Sequence, residues 1–174
     1  MAKPRLCVTI TAPTTAELRR RRDAVRGADL LELRLDTVSD PDAAAALADC
    51  ALPAIVTCRP AYEGGGFMGS ETERLAILES ALSHGARYVE VEWRAGLSEF
   101  ITRVGTERVV LAAHEFIAPP ADVPGRLATM QAAAPGAVVK LACQTNRLAD
   151  CVSLLRAVPD AAARGDVIVL GMGE

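Results

Sequence analysis

The chain has 174 residues, 51% of them hydrophobic and 24% charged, with a formal net charge of -3. That length suits one domain with a buried core, and the mild acidity argues against nucleic acid or an anionic membrane as partner, since both favour a basic balance. No apolar run approaches the roughly eighteen residues a membrane span requires, and the start, "MAKPRLCVTI", has no signal-peptide pattern, so a cytoplasmic protein is expected.

In chain order, the first apolar run is "RLCVTITA" (5–12), which alternates like a strand. A helix follows in "TTAELRRRRDAVRG", opened by the capping pattern Thr14 to Glu17 and ended at Gly27. Its "RRRR" reads as a solvated helix face, not a nucleic-acid site, given the acidic whole. Further strand-like runs are "ADLLELRLD" (28–36), "PAIVTCR" (53–59), "RYVEVEW" (87–93), "RVVLAAHEF" (108–116), "AVVKLAC" (137–143) and "DVIVLGMG" (166–173). Ala- and Leu-rich helical stretches separate them, among them "SETERLAILESALSHG" with a Ser70-to-Glu73 capping box. His84 falls at the C-terminal end of that helix, where a histidine suits the helix dipole, and reads as structural. Five cysteines form no CxxC pair, and three lie in strand-like runs. They read as reduced thiols, and no zinc site is expected.

Strands alternating with helices imply parallel pairing, because each crossover must cover the sheet. Seven such units without a linker or low-complexity break suit either an open doubly wound sheet or most of a (β/α)8 barrel. The side-chain period separates the two. Residues two apart on a strand share a face. Glu32, Arg34 and Asp36 share one; Thr57 goes with Arg59, Glu90 with Glu92, His114 with Ala112, and Lys140 with Ala142. Five strands thus carry polar or ionisable groups on one face, mostly towards their C-terminal ends. An open sheet covers both faces with helices, whereas a barrel gathers one face of every strand inside and keeps its reactive groups at the C-terminal mouth. The expected fold is α/β of the (β/α)8 TIM-barrel type, with about seven of eight strands present, as one incomplete barrel domain over 1–174.

Lys140 stands out. The chain has 17 Arg and only two Lys, Lys3 and Lys140, and Lys140 sits inside an apolar strand, where an unpaired ammonium is costly. Three readings stand: an ion pair with Glu32, Glu90 or Glu92, an anchor for phosphate or carboxylate, or a nucleophile. Arginine serves the first two at least as well. Only lysine becomes a neutral amine able to attack a ketone. His114, facing the same way from the preceding strand, is a base suited to removing a proton beside an imine. The residues alone leave ion pair and nucleophile both open.

The motifs "ADLLELRLD", "IVTCR" followed by "EGGGFMG", "YVEVE", "AAHEF", "VVKLA" and "VLGMG" resemble, in order and spacing, those of type I 3-dehydroquinate dehydratases. These are (β/α)8-barrel lyases of the shikimate pathway. The resemblance runs over nearly the whole chain, and "ELRLD", the His-x-Phe and the lysine strand are its most specific parts. It implies that Lys140 forms a Schiff base with the C3 ketone of 3-dehydroquinate. It also implies that His114 takes a C2 proton and helps the C1 hydroxyl leave, without metal, nucleotide or other cofactor. Glu63 matches a carboxylate that steers the histidine. Glu32, Arg34 and Arg59 match residues that hydrogen-bond the substrate hydroxyls, and Thr9 matches a small hydroxyl residue lining the site. Glu90 matches an acidic partner behind the histidine. The "GGG" of 64–66 then reads as a mobile loop over the mouth. A homodimer is the assembly the resemblance suggests, with no nucleic-acid or membrane partner.

The resemblance also implies more chain than is present. Beyond "VIVLGMGE" the family continues with a loop bearing a substrate-carboxylate arginine, an eighth strand, and a closing loop with a serine and a glutamine. The chain therefore reads as C-terminally truncated. Two rivals to dehydration follow: an inactive remnant or interaction module of the same fold, and another Schiff-base barrel lyase of the class I aldolase kind.

Overall fold

The structure is a computed structural model that describes residues 4–173, so Lys3 lies outside it. The chain gathers into two compact units, one running to Glu90 and one starting at Val91.

In the first unit, β1 (Cys7–Ile10), β2 (Leu30–Arg34), β3 (Ala54–Thr57) and the start of β4 (Tyr88–Glu92) pair in parallel, each with the next in sequence. The connections are α1 (Thr15–Ala24), α2 (Ala43–Leu47) and α3 (Glu71–Ser83). The strands are shorter than the sequence pattern suggests. Leu35–Thr37 and Trp93–Ala95 form tight 3-10 turns, so Asp36 and Trp93 leave their strands. Between them the core is aliphatic, with Leu18, Leu31, Leu33, Leu35, Val56, Leu78 and Val89 essentially inaccessible.

Local chemistry sets the helix ends. The Ser70 hydroxyl accepts from the Glu73 N–H while the Glu73 carboxylate accepts from the Ser70 N–H at 2.7 Å, a complete capping box. Thr14 caps α1 through the Glu17 N–H at 3.3 Å, but the Glu17 carboxylate turns away to Arg20 and Arg21. The expected solvated arginine face holds for Arg20 and fails at Arg22. Arg22 lies four residues after the buried Leu18 and so faces inward, where it donates to the Ala46 carbonyl at 2.6 Å and pairs with Asp23. His84 closes α3, its Nδ1 lying 2.8 Å from the Ser80 carbonyl.

In the second unit, β5 (Val109–Glu115), β6 (Val138–Gln144) and β7 (Val167–Met172) are parallel neighbours in that order. They are separated by α5 (Val123–Ala133) and α6 (Leu148–Ala162), and α4 (Ser98–Val104) precedes them. Every residue of β6 except Gln144 is buried, as expected of a parallel strand covered on both faces. Among the described residues no helix is long and apolar enough to cross a membrane.

Two outcomes follow. Ser70→Ala removes the cap of α3 and lowers stability by about 1 kcal/mol, read from the denaturation midpoint at unchanged slope. The hydrogen bonds from Arg20 and then Arg21 hold the Glu17 carboxyl down to about 2. Because this value is depressed, the stabilising pair is present above the ordinary glutamate range and is lost as pH falls towards about 2. The pair is exposed, so a titration followed by NMR should show the Glu17 value climbing back in high salt or in Arg20→Ala.

Candidate active site

The first unit builds a polar patch from residues of one parity. The register aligns Thr9 with Glu32, Glu32 with Ile55, and Arg34 with Thr57. Val56 aligns with Val89, which sets Thr57 level with Glu90. Thr9, Glu32, Thr57 and Glu90 therefore share a face, and hydrogen bonds join them. Glu32 is buried at 6% exposure, so its charge needs donors. The Thr9 hydroxyl supplies one at 3.0 Å and the Thr57 hydroxyl another at 2.9 Å. Arg59 Nη2 donates to Glu90 Oε1 at 2.6 Å and lies 3.9 Å from Glu32. Arg59 thus stands between two buried carboxylates, and its own Nε has no hydrogen-bond partner in this structure. Glu90, expected behind the histidine, has Arg59 as a firm partner.

Arg34 is held differently. Asp36, carried back by the 3-10 turn, accepts from Arg34 Nε at 2.8 Å and from Nη2 at 2.7 Å. Asp36 Oδ2 also accepts from the Gly66 N–H at 3.0 Å. Burial pushes the Asp36 carboxyl up, but the Arg34, Gly66 and Arg59 hydrogen bonds together outweigh burial and leave it below its ordinary value.

Glu63 ends a second 3-10 turn, Ala61–Glu63, and is buried. The glycines after it were expected to form a mobile loop; here they are fastened. Gly65 N–H donates to the Pro60 carbonyl, Phe67 N–H to the Arg59 carbonyl and Ala61 N–H to the Phe67 carbonyl. A Cβ on Gly65 would stand 2.0 Å from the Arg59 carbonyl oxygen, and one on Gly66 would stand 2.4 Å from that of Asp36. Main-chain proximity is why glycine occupies both positions, and Gly64 adds a left-handed φ of 74°.

The second unit holds Lys140 and His114, the two residues expected from the sequence to act as nucleophile and base. Ala112 aligns with Lys140, and His114 with Ala142. Lys140 and His114 therefore occupy one face of adjacent strands, His114 one rung nearer the C-terminal ends. Both are buried, at 5% and 1% exposure. Each long side chain has an alanine directly across, which leaves it room, and Ile168 flanks Lys140 from β7. The opposite face meets the helices: Glu115 accepts from Arg126 of α5 at 2.6 Å and from Arg94 at 3.1 Å. Arg126 also lies over the Trp93 ring, 5.1 Å from its centroid. Cys143 aligns with Glu115 on that side. Burial, then the Glu115 charge, pushes its thiol up to about 11.

The model of the family described as Type I 3-dehydroquinase matches residues 6–174. The chain belongs to the type I 3-dehydroquinase family. It is 32% identical over 183 residues to the 3-dehydroquinate dehydratase of Desulfotalea psychrophila, covering all of this chain and 80% of that one. It is 33% identical over 159 residues to the bifunctional 3-dehydroquinate dehydratase/shikimate dehydrogenase of Arabidopsis thaliana, covering 85% of this chain and 26% of that protein. Among solved structures, the type I 3-dehydroquinate dehydratase of Clostridium difficile superposes with a TM-score of 0.83 at 20% identity, over 99% of this chain and 76% of that one. The Enterococcus faecalis 3-dehydroquinate dehydratase gives 0.82 at 24% identity, over 100% and 81%. These likenesses show the fold, α/β of the TIM-barrel type. The family's reaction is a dehydration in the shikimate pathway.

Sequence reasoning placed Asp36 on the Glu32 face but missed its bonds to Arg34 and Gly66; the signal available was an Asp two residues after an Arg, just before "TVSD" breaks the strand pattern. It also missed Thr57 as a donor to Glu32. Gly66→Ala should force the loop off Asp36. The expected result is a loss of about 1–3 kcal/mol and faster proteolysis within 60–68, measured against Gly165→Ala, whose Cβ would make only an ordinary contact, 3.7 Å from the Gln131 side chain.

Proposed function

We propose that this chain dehydrates 3-dehydroquinate to 3-dehydroshikimate through an imine on Lys140. The observation carrying this reading is the pairing of β5 with β6, which sets a buried lysine and a buried histidine one rung apart on one strand face, each opposite an alanine. An amine and a proton acceptor so spaced suit attack at a ketone carbon and deprotonation of the carbon beside it.

The steps balance as follows. The Lys140 Nζ lone pair attacks C3, and the carbonyl oxygen departs as water carrying one proton from the amine and one from solvent, leaving a protonated imine; solvent regains that proton when the imine is hydrolysed. His114 accepts a C2 proton, and the C–H electron pair moves into the C2–C3 bond to give an enamine. The enamine pair then expels the C1 hydroxyl, to which His114 returns its proton, so that water leaves. Hydrolysis of the imine releases the enone and restores the Lys140 amine. No oxidant or metal enters the balance.

The remaining roles follow the family resemblance. Glu32, Arg34 and Arg59 take the substrate hydroxyls, with Thr9 acting through the hydrogen bond it gives Glu32. Glu63 steers the histidine and the carbinolamine, and Glu90 backs the histidine while bound to Arg59. The cytoplasm as the place of work and a homodimer as the assembly belong to the same reading.

The test is borohydride reduction in the presence of 3-dehydroquinate, followed by intact mass and peptide mapping. The expected result is one reduced adduct on Lys140, absent from Lys140→Met. His114→Ala should still form the adduct while turnover falls by about 10²–10⁴-fold, because the amine remains and only the proton transfer is lost. Folded wild-type protein that gives neither adduct nor product would refute the proposal and leave a non-catalytic member of the fold.

A further inference from the structure

Asp36 has no role in the chemistry above, yet both of its carboxylate oxygens are engaged. Its side chain is 0% exposed. Oδ1 accepts from Arg34 Nε, Oδ2 accepts from both Arg34 Nη2 and Gly66 N–H, and the Arg59 main-chain N–H also reaches it. One carboxylate thus joins the end of β2, the residue that leaves β3, and the glycine loop that follows Glu63. We propose that Asp36 is a positioning residue, a clasp that fixes the Arg34 guanidinium and the Arg59–Phe67 loop in one arrangement and thereby sets affinity for a polyhydroxylated carboxylic acid substrate.

The geometry supports a clasp in three ways. An Arg–carboxylate fork fixes the guanidinium plane as well as its position. With the Nε hydrogen and one Nη2 hydrogen taken, Arg34 presents its other three N–H donors, two on Nη1 and one on Nη2, to a ligand. The fork also gives Arg34 a hydrogen-bond partner other than Glu32, which accepts from the Thr9 and Thr57 hydroxyls. A guanidinium able to swing to Glu32 would use the carboxylate assigned to the substrate, so the clasp directs the guanidinium to Asp36 while the Glu32 charge still attracts it. The Gly66 bond extends the effect to the loop. That loop has five main-chain hydrogen bonds of its own: Ala61 to Phe67, Glu63 and Gly65 to Pro60, Gly64 to Ala61, and Phe67 to Arg59. At its glycine tip the Asp36 carboxylate accepts from the Gly66 N–H at 3.0 Å.

The affinity part of this proposal rests on the dehydration reading, and the experiment separates the two. Asp36→Asn keeps the shape but lacks the charge and one acceptor oxygen, so an amide N–H must face Arg34 or Gly66. The expected kinetics are a KM for 3-dehydroquinate raised about tenfold or more, a kcat within about threefold, and an undiminished Lys140 adduct at saturating substrate. Arg34→Ala should raise KM alike, and the double variant should be no worse than Arg34→Ala alone, since the two residues act as one unit. Hydrogen exchange supplies a readout independent of turnover: the Gly66 amide should exchange about tenfold faster or more in Asp36→Asn, with the Tm of the whole chain little changed. A lower Tm with unchanged KM and unchanged Gly66 exchange overturns the clasp and leaves Asp36 a core ion pair. Additive effects of the two substitutions overturn its action through Arg34. A wild type without adduct or product refutes the dehydration reading, and Gly66 exchange then decides the clasp by itself.

Discussion

The first unit is organised around a negative charge that cannot reach water freely. Glu32 sits mid-strand, hemmed by aliphatic residues, and a carboxylate there persists only if its oxygens find donors. The neighbouring strands supply them at positions fixed by parallel register: Thr9 on β1, Thr57 on β3, and the Arg59 guanidinium just past β3. The two hydroxyl donors lie on strands either side of β2, so the carboxylate satisfies its own charge and also fixes the order and register of three strands. A slip of one residue between β2 and β3 would turn Thr57 away and leave a buried oxygen without a donor, on top of moving every apolar side chain to the wrong face. Arg59, shared with Glu90, then carries the same constraint to β4.

Parity made much of this legible before any coordinates. Strands and helices alternate as expected, and Glu32, Glu90, His114 and Lys140 fall on the faces that counting by twos assigns. What counting could not find was where a strand stops. Asp36 is in phase with Arg34 on paper, yet the chain leaves the strand at Leu35, and only that departure brings the two side chains together. Arg22 was hidden for a related reason. Four consecutive arginines look alike in sequence, but a helix turns about 100° per residue, so they point in different directions, and Arg22 meets the Ala46 carbonyl. The glycine loop was hidden because its constraint lies in main-chain approach distances, which composition does not record.

The sparing use of lysine takes on physical meaning in the second unit. Around Lys140 the sequence places small and aliphatic neighbours, Ala112, Ala142 and Ile168, and keeps the arginines Arg94 and Arg126 on the helix side with Glu115. The two faces of β5 and β6 therefore do separate electrostatic work. One side ties strand to helix through Glu115, and it holds the Cys143 thiol protonated. The other carries the lysine and histidine with steric room.

The Arg59–Phe67 loop is specified almost wholly by backbone: hydrogen bonds between main-chain groups, two glycines where no Cβ fits, and one left-handed residue. Large side chains in and beside it look outward, Tyr62 within the loop being 59% and Met68 just after it 84% exposed. Shape and surface are thereby uncoupled in this segment. Over evolutionary time the outward residues can drift in polarity, or be recruited to new contacts, while Glu63 stays where the main chain puts it.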